Sequence, residues 1–162
     1  MPFIFYLASA IAILSTVMVI TGKNPVHSLL YMVLSLLSLA ATFFALGAPF
    51  AGMLEVIVYA GAIMVLFVFV VMMLNLGSQT VEHERQWLKP KAWIGPVGLS
   101  AVLLIALLHV LIPGGQGLAG TGEIGAKAVG VALFGPYLLV VELASMLLLG
   151  ALIAAYHLGK HD

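Results

Sequence analysis

From Leu54 to Leu76 the chain is apolar almost without interruption, yet the first turns of that stretch hold Glu55, Tyr59 and Gly61. About 20 helical residues cross the hydrocarbon core of a bilayer, so the run is long enough to span. A carboxylic acid inside such a run is unfavourable against lipid and marks a position that faces protein or water. The stretch is therefore more than an anchor, and whatever surrounds it has to accommodate the acid.

Composition places the whole chain in the same solvent. Of its 162 residues 64% are hydrophobic and only 7% are charged, outside the range of a soluble domain. We expect an all-α integral membrane protein: a single membrane domain over 1–162, with five transmembrane helices at about 3–20, 27–46, 52–76, 92–112 and 136–158. The connections are Thr21 to Val26, a tight turn around Gly47 to Ala51, a polar loop from Gly77 to Lys91 and a glycine-rich segment from Pro113 to Gly135. The start, Met1-Pro2-Phe3-Ile4-Phe5, lacks the positive region of a cleavable signal, so the first apolar run is expected to remain as a helix. No half of the chain repeats the other, which argues against an inverted-repeat transporter.

Five spans put the termini on opposite sides. Lys23, Arg85, Lys89, Lys91 and Lys160 would share one side and Lys127 the other. Basic residues beside the spans collect in the cytoplasm, which predicts an N-terminus outside and a C-terminus inside. The formal net charge of zero gives no field for nucleic acid.

The absence of cysteine removes disulfides, thiolate nucleophiles and iron–sulfur ligation from this chain. His109 and His157 fall near opposite ends of their spans, which argues against bis-histidine haem. His157 and His161 read as a solvated pair at a helix end. No metal site, phosphate loop or nucleophile–base pair is expected, so the chain holds no catalytic residue or cofactor of its own.

Glu55 in the third span and Glu142 in the fifth are the candidate proton-handling groups. Each is expected to be protonated or hydrogen-bonded, since an unpaired carboxylate in lipid is strongly disfavoured. Tyr59, four residues after Glu55, falls on the same face of a regular helix and could extend a hydrogen-bonded chain. Gly61 reads equally well as a contact point for a neighbouring helix and as a position that tolerates bent or π geometry. Glu142, Ser145 and Tyr156 share a face, with Leu149 and Ile153 interrupting it. The stripe Ser28, Tyr31, Ser35, Ser38, Thr42 and the stripe Ser9, Ala12, Thr16 read as surfaces for close helix packing.

The third run, Leu54 to Asn75, resembles the third transmembrane helix of the subunit J family of bacterial NADH-quinone oxidoreductase, counterpart of subunit 6 of mitochondrial respiratory complex I. Asn24 to Tyr31, Leu133 to Tyr137 and Val141 to Leu149 are similar to other marked segments of that family. The resemblance implies a non-redox subunit of a proton-translocating NADH dehydrogenase in the bacterial cytoplasmic (inner) membrane. Flavin, iron–sulfur clusters and quinone (ubiquinone or another) would be bound by partner subunits. It implies as partners the small glutamate-bearing subunit, the quinone-site subunit and antiporter-like subunits, within the lipid bilayer. The longer charged tail of some relatives is absent after Asp162, so no tail-dependent contact is expected.

It also implies a π-bulge around Tyr59, Gly61 and Val65, whose conversion to regular helix would rotate the inner half and swing Met64 and Phe67 into or out of a water chain. The site residues implied are Glu55, Tyr59, Gly61, Met64, Val65, Phe67 and Glu142. The third run, Gly52 to Leu76, makes about 38 Å of helix against a core of about 30 Å, leaving length for a bulge or tilt. Two other readings use the same residues: a subunit of a multi-subunit cation/proton antiporter, and a structural membrane scaffold.

Overall fold

The computed structural model describes residues 2–22, 25–74, 90–111 and 124–160. Lys23, Asn75, Arg85, Lys89 and His161, and the side chains of Lys91 and His109, lie outside the described residues. The described residues are helical with short turns, and four helices are long and apolar enough to cross a membrane. They run Phe3–Thr21, Pro25–Ala45, Pro49–Met73 and Leu138–Gly159, and a shorter apolar helix covers Trp93–Leu108. The chain divides into two compact units, Met1–Glu123 and Ile124–Asp162.

In the first unit, α1 (Pro2–Thr21) and α2 (Pro25–Ala45) are each other's main neighbours. Between membrane helices there is little hydrophobic driving force, so close approach through small residues and interhelical hydrogen bonds has to hold them. The sequence supplies both. Ile4, Ala8, Ile11 and Ser15 recur on one face of α1, and Leu34, Ser38 and Ala41 do the same on α2. Ser15 and Ser38 are both 0% exposed. Beside this seam the Thr16 and Ser35 hydroxyls are 2.8 Å apart, and Ser35 Oγ donates to the Ala12 carbonyl at 3.3 Å. Leu103 closes the apolar cluster from α5 (Pro90–Leu111).

α2 ends in a turn whose backbone dictates its residues. Gly47 takes φ 77°, its N–H bonds to Phe44 O at 3.1 Å, and the Ala48 N–H reaches Phe43 O at 3.0 Å. This pair of bonds closes the orphan carbonyls of a helix end and needs a glycine in the left-handed region. Pro49 then opens α3 (Pro49–Leu54), a position where its missing N–H leaves no bond unmade. The third span continues as a π-helical stretch, Glu55–Ile63, and as α4 (Met64–Leu74). It therefore starts at Pro49, earlier than the apolar run suggests.

α5 approaches α2 closely at Gly95, where a Cβ would collide with the Tyr31 hydroxyl. Its internal Pro96, buried beside that contact, removes one helical N–H. An open apolar groove lined by Leu30, Leu37, Val97 and Leu104 lies alongside.

The second unit corrects the expected glycine-rich connection. Ala126–Leu133 forms a helix, α6, because its alanines, valines and leucine carry helix and apolar character that the surrounding glycines mask. A turn through Phe134, Gly135, Pro136 and Tyr137 follows, with the Tyr137 N–H on Ala132 O at 3.1 Å. At Gly135 a Cβ would stand 2.7 Å from the Val131 carbonyl oxygen, so the turn admits only glycine there without shifting. α7 (Leu138–Gly159) begins after Pro136, two residues later than expected.

Candidate functional site

The nine-residue π-helical stretch Glu55–Ile63 is the feature that distinguishes the third span from every other helix described. At its start the Glu55 N–H points to both Ala51 O and Gly52 O, a shared bond common where a helical segment ends. Where α4 begins, the Met64 N–H is directed at Tyr59 O, five residues back, and at Gly61 O. π geometry is rare in proteins and occurs frequently at functional sites.

Gly61 accounts for part of why this sequence tolerates it. A Cβ built there would meet only Val56 O, at 3.2 Å, which belongs to the same helix and lies five residues earlier. Within the described chain Gly61 is thus a place where the helix relieves its own backbone rather than a seat for a neighbour. Gly52 is the opposite case: a Cβ there would stand 3.1 Å from Ala40 O and 3.2 Å from the Phe44 ring, both on α2.

The winding decides which side chains share a face. In a regular helix of 3.6 residues per turn, positions nine apart differ by about two and a half turns, so Glu55 and Met64 would face opposite sides. With bonds closing five residues back, each turn takes more than four residues, and nine come to about two turns. The burial follows the second arithmetic: Glu55 is 9% exposed and Met64 is 1% exposed. Both lie on the side of the span that packs against α2.

The same widening revises the pairing expected for Tyr59. Tyr59 is 49% exposed, and the half-buried place one turn below Glu55 is taken by Ala60. A four-residue step belongs to the α-helix and does not carry over to a wider turn. Val65 and Phe67 are also exposed, and Val65 lies beyond the π stretch, in α4. From Val65 to Met73 only Val71 is half-buried.

Glu55 is the one acid brought to a buried place among the described residues, and its Oε1 has no hydrogen-bond partner among them. Glu142 is exposed on α7 in the other unit, and Ser145 there donates to its own helix at Val141 O, 2.9 Å away. Among the described residues no three His, Cys, Asp or Glu side chains cluster as metal ligands. The arrangement can hold one ionisable group and one bulky side chain on a common face whose register depends on backbone winding.

Residues 15–158 match the family described as NADH-ubiquinone/plastoquinone oxidoreductase chain 6. The chain belongs to that family. Its relatives in the chain 6 family include NADH-quinone oxidoreductase subunit J of Pseudomonas aeruginosa, 65% identical over 100% of this chain and 98% of that protein. Subunit J of Escherichia coli K12 is 60% identical over 100% of this chain and 88% of its own length. Subunit J of Buchnera aphidicola from Schizaphis graminum is 51% identical over 99% and 98%. The resemblance carried by Leu54 to Asn75 therefore extends along the full chain.

Two features escaped sequence reading. The seat of Gly52 on α2 was hidden because a glycine one turn before Glu55 looks like any small residue in a membrane helix. The burial of Met64 was hidden because a regular helical wheel puts it opposite Glu55.

Proposed function

We propose that this chain is a non-redox membrane-arm subunit of a proton-pumping NADH:quinone oxidoreductase, and that its third span couples quinone reduction to proton translocation. Membership of the chain 6 family supports the assembly. The observation that carries the coupling role is the common buried face of Glu55 and Met64, which only π winding provides.

A change from π to regular winding over Glu55–Ile63 turns everything below it by about half a turn relative to what lies above. Met64 then leaves the Glu55 face and Phe67 and Val65 are redirected with it. Such an element has two discrete arrangements, which is what coupling between distant sites requires. Glu55 supplies a titratable group about two turns above the place Met64 vacates on the same face, where water can enter, and Tyr59 at the edge of that face offers a hydroxyl to extend that water chain. Glu142 on the fifth span is a second candidate for proton handling.

In this reading the polypeptide works as one membrane domain in the bacterial inner membrane, with the N-terminus outside and the C-terminus in the cytoplasm. Flavin, iron–sulfur clusters and quinone belong to partner subunits. The partners of the third span are the small glutamate-bearing subunit, the quinone-site subunit and the antiporter-like subunits. Gly61→Val tests the role: it should depress quinone reduction and proton pumping together while NADH oxidation by an artificial acceptor persists. Normal pumping in that variant would refute the coupling role.

A further inference from the structure

The two glycines of the third span act on different partners, and the difference fixes which half of the span can turn. At Gly52 the missing Cβ leaves room for a carbonyl and an aromatic ring of α2, at 3.1 and 3.2 Å from where the Cβ would be. The Ala40 carbonyl is main chain within α2 and has less freedom to retreat than the end of a flexible side chain. Gly52 is buried, and its N–H is bonded to Ala48 O at 3.1 Å, which ties α3 to the Schellman turn just above. At Gly61 the only nearby atom is a carbonyl of the same helix. One glycine makes room for α2, and the other makes room only for the span's own backbone.

We infer that Gly52 is the fulcrum of the third span, a positioning residue that clamps α3 to α2 so that a change of winding over Glu55–Ile63 is expressed below it, at Met64, rather than above it. The inference rests on the coupling role proposed for the span. Glu55 lies one turn below Gly52, and its N–H is bonded to Ala51 O and Gly52 O, so it stays with the clamped half. Met64 begins the half that moves, and apart from that side chain and half-buried Val71 the described side chains of α4 are exposed as far as Met73. With the clamp in place, the acid keeps its position and the bulky group, two turns below it, swings off the shared face. Without the clamp, the same change of winding would be divided between both halves, and the displacement at Met64 would shrink.

The chain contains no cysteine, which makes single introduced thiols readable in the mass of this subunit. In the intact, reconstituted enzyme, Met64→Cys and Ala51→Cys report on the lower and upper halves through a small membrane-permeant thiol reagent. Turnover with NADH and quinone should raise the labelling rate at position 64 by about tenfold and leave position 51 unchanged, since labelling of a buried group follows the population of its open form. Equal rises at both positions would overturn the fulcrum while leaving a winding change in place. No rise at either would overturn the fulcrum and the coupling role together. Where Met64→Cys slows turnover, hydroxyl-radical oxidation of the native Met64 and Met53 gives the same comparison in the unmodified chain. Gly52→Ala adds a kinetic reading: kcat for coupled quinone reduction and the protons moved per electron both fall, with KM for quinone unchanged. A Gly52→Ala enzyme that assembles and keeps full proton stoichiometry would also overturn the assignment.

Discussion

The α1–α2 pair and the third span solve the same problem, a helix in lipid, in opposite ways. α1 and α2 present small residues at regular helical steps, bury Ser15 and Ser38 completely and tie their backbones together through Thr16, Ser35 and the Ala12 carbonyl. Every turn of that seam depends on ordinary winding, so a register change would unmake all of it at once. The third span is held at Gly52, buries Glu55 and Met64, and is otherwise largely exposed within the unit. Its winding can change without dismantling a long seam. A part that must keep its register is built from many close contacts, and a part that must shift is built from few.

The largest effect that would break this contrast is expected at Gly61. In Gly61→Val the added Cβ presses on Val56 O, 3.2 Å away, and its branches press further, so regular winding is favoured and the switch stays in one state. Coupled quinone reduction should fall by about tenfold or more, in the range of coupling energies that single residues control. Artificial-acceptor activity is the internal control, and its parallel loss would point to failed assembly instead.

A substitution in the seam should act differently. Ser15→Leu adds bulk at a fully buried position, and overpacking of this kind typically destabilises a packed core by about 1–3 kcal/mol. The amount of assembled enzyme on a native gel should drop, while turnover per assembled enzyme stays near normal. If the turnover per enzyme collapsed instead, the seam would be part of the moving machinery and the contrast would fail.

Glu55→Gln keeps the size and burial of the side chain but removes its titration. Proton pumping should fall several-fold, with assembly unchanged, because an acid with few substitutes nearby is lost from the path. Undiminished pumping, measured by quenching of a pH-sensitive dye in vesicles, would reduce Glu55 to a structural group. The smallest effect belongs to Thr16→Val, which deletes one interhelical hydroxyl contact. Such hydrogen bonds average about 0.6 kcal/mol in membrane helices. Thermal stability of the assembled enzyme should shift only slightly and activity should not; a large loss of activity would make the seam functional after all.

Much of the architecture was legible because apolar runs of helical length, the Gly47 turn and the small-residue stripes each follow from local chemistry. Thr16 and Ser35 were readable as packing residues from their spacing, and they do meet. The short helix Ala126–Leu133 was missed because glycines on either side outweighed its alanines in a composition-based reading. At the site, Glu55 and Gly61 stand out in any reading of the span, since an acid and a glycine in an apolar helix need a reason. Their partners do not stand out. Tyr59 was placed by a periodicity of 3.6, and the backbone there winds more widely, so Tyr59 lies on the exposed edge; Met64 entered only through the family resemblance, and the wider winding brings it to the buried face. Winding is a property of nine residues acting together, and no single residue type announces it.

The account rests on the winding of Glu55–Ile63, and the most direct test is the structure of the intact enzyme imaged at rest and during turnover with NADH and quinone. Two classes are expected. One keeps the π stretch with Met64 on the Glu55 face, and the other has regular helix over the same residues, with Met64 turned about half a turn away and Gly52 still seated on Ala40 and Phe44. A single winding in every class, with Met64 fixed on the Glu55 face throughout turnover, would contradict it.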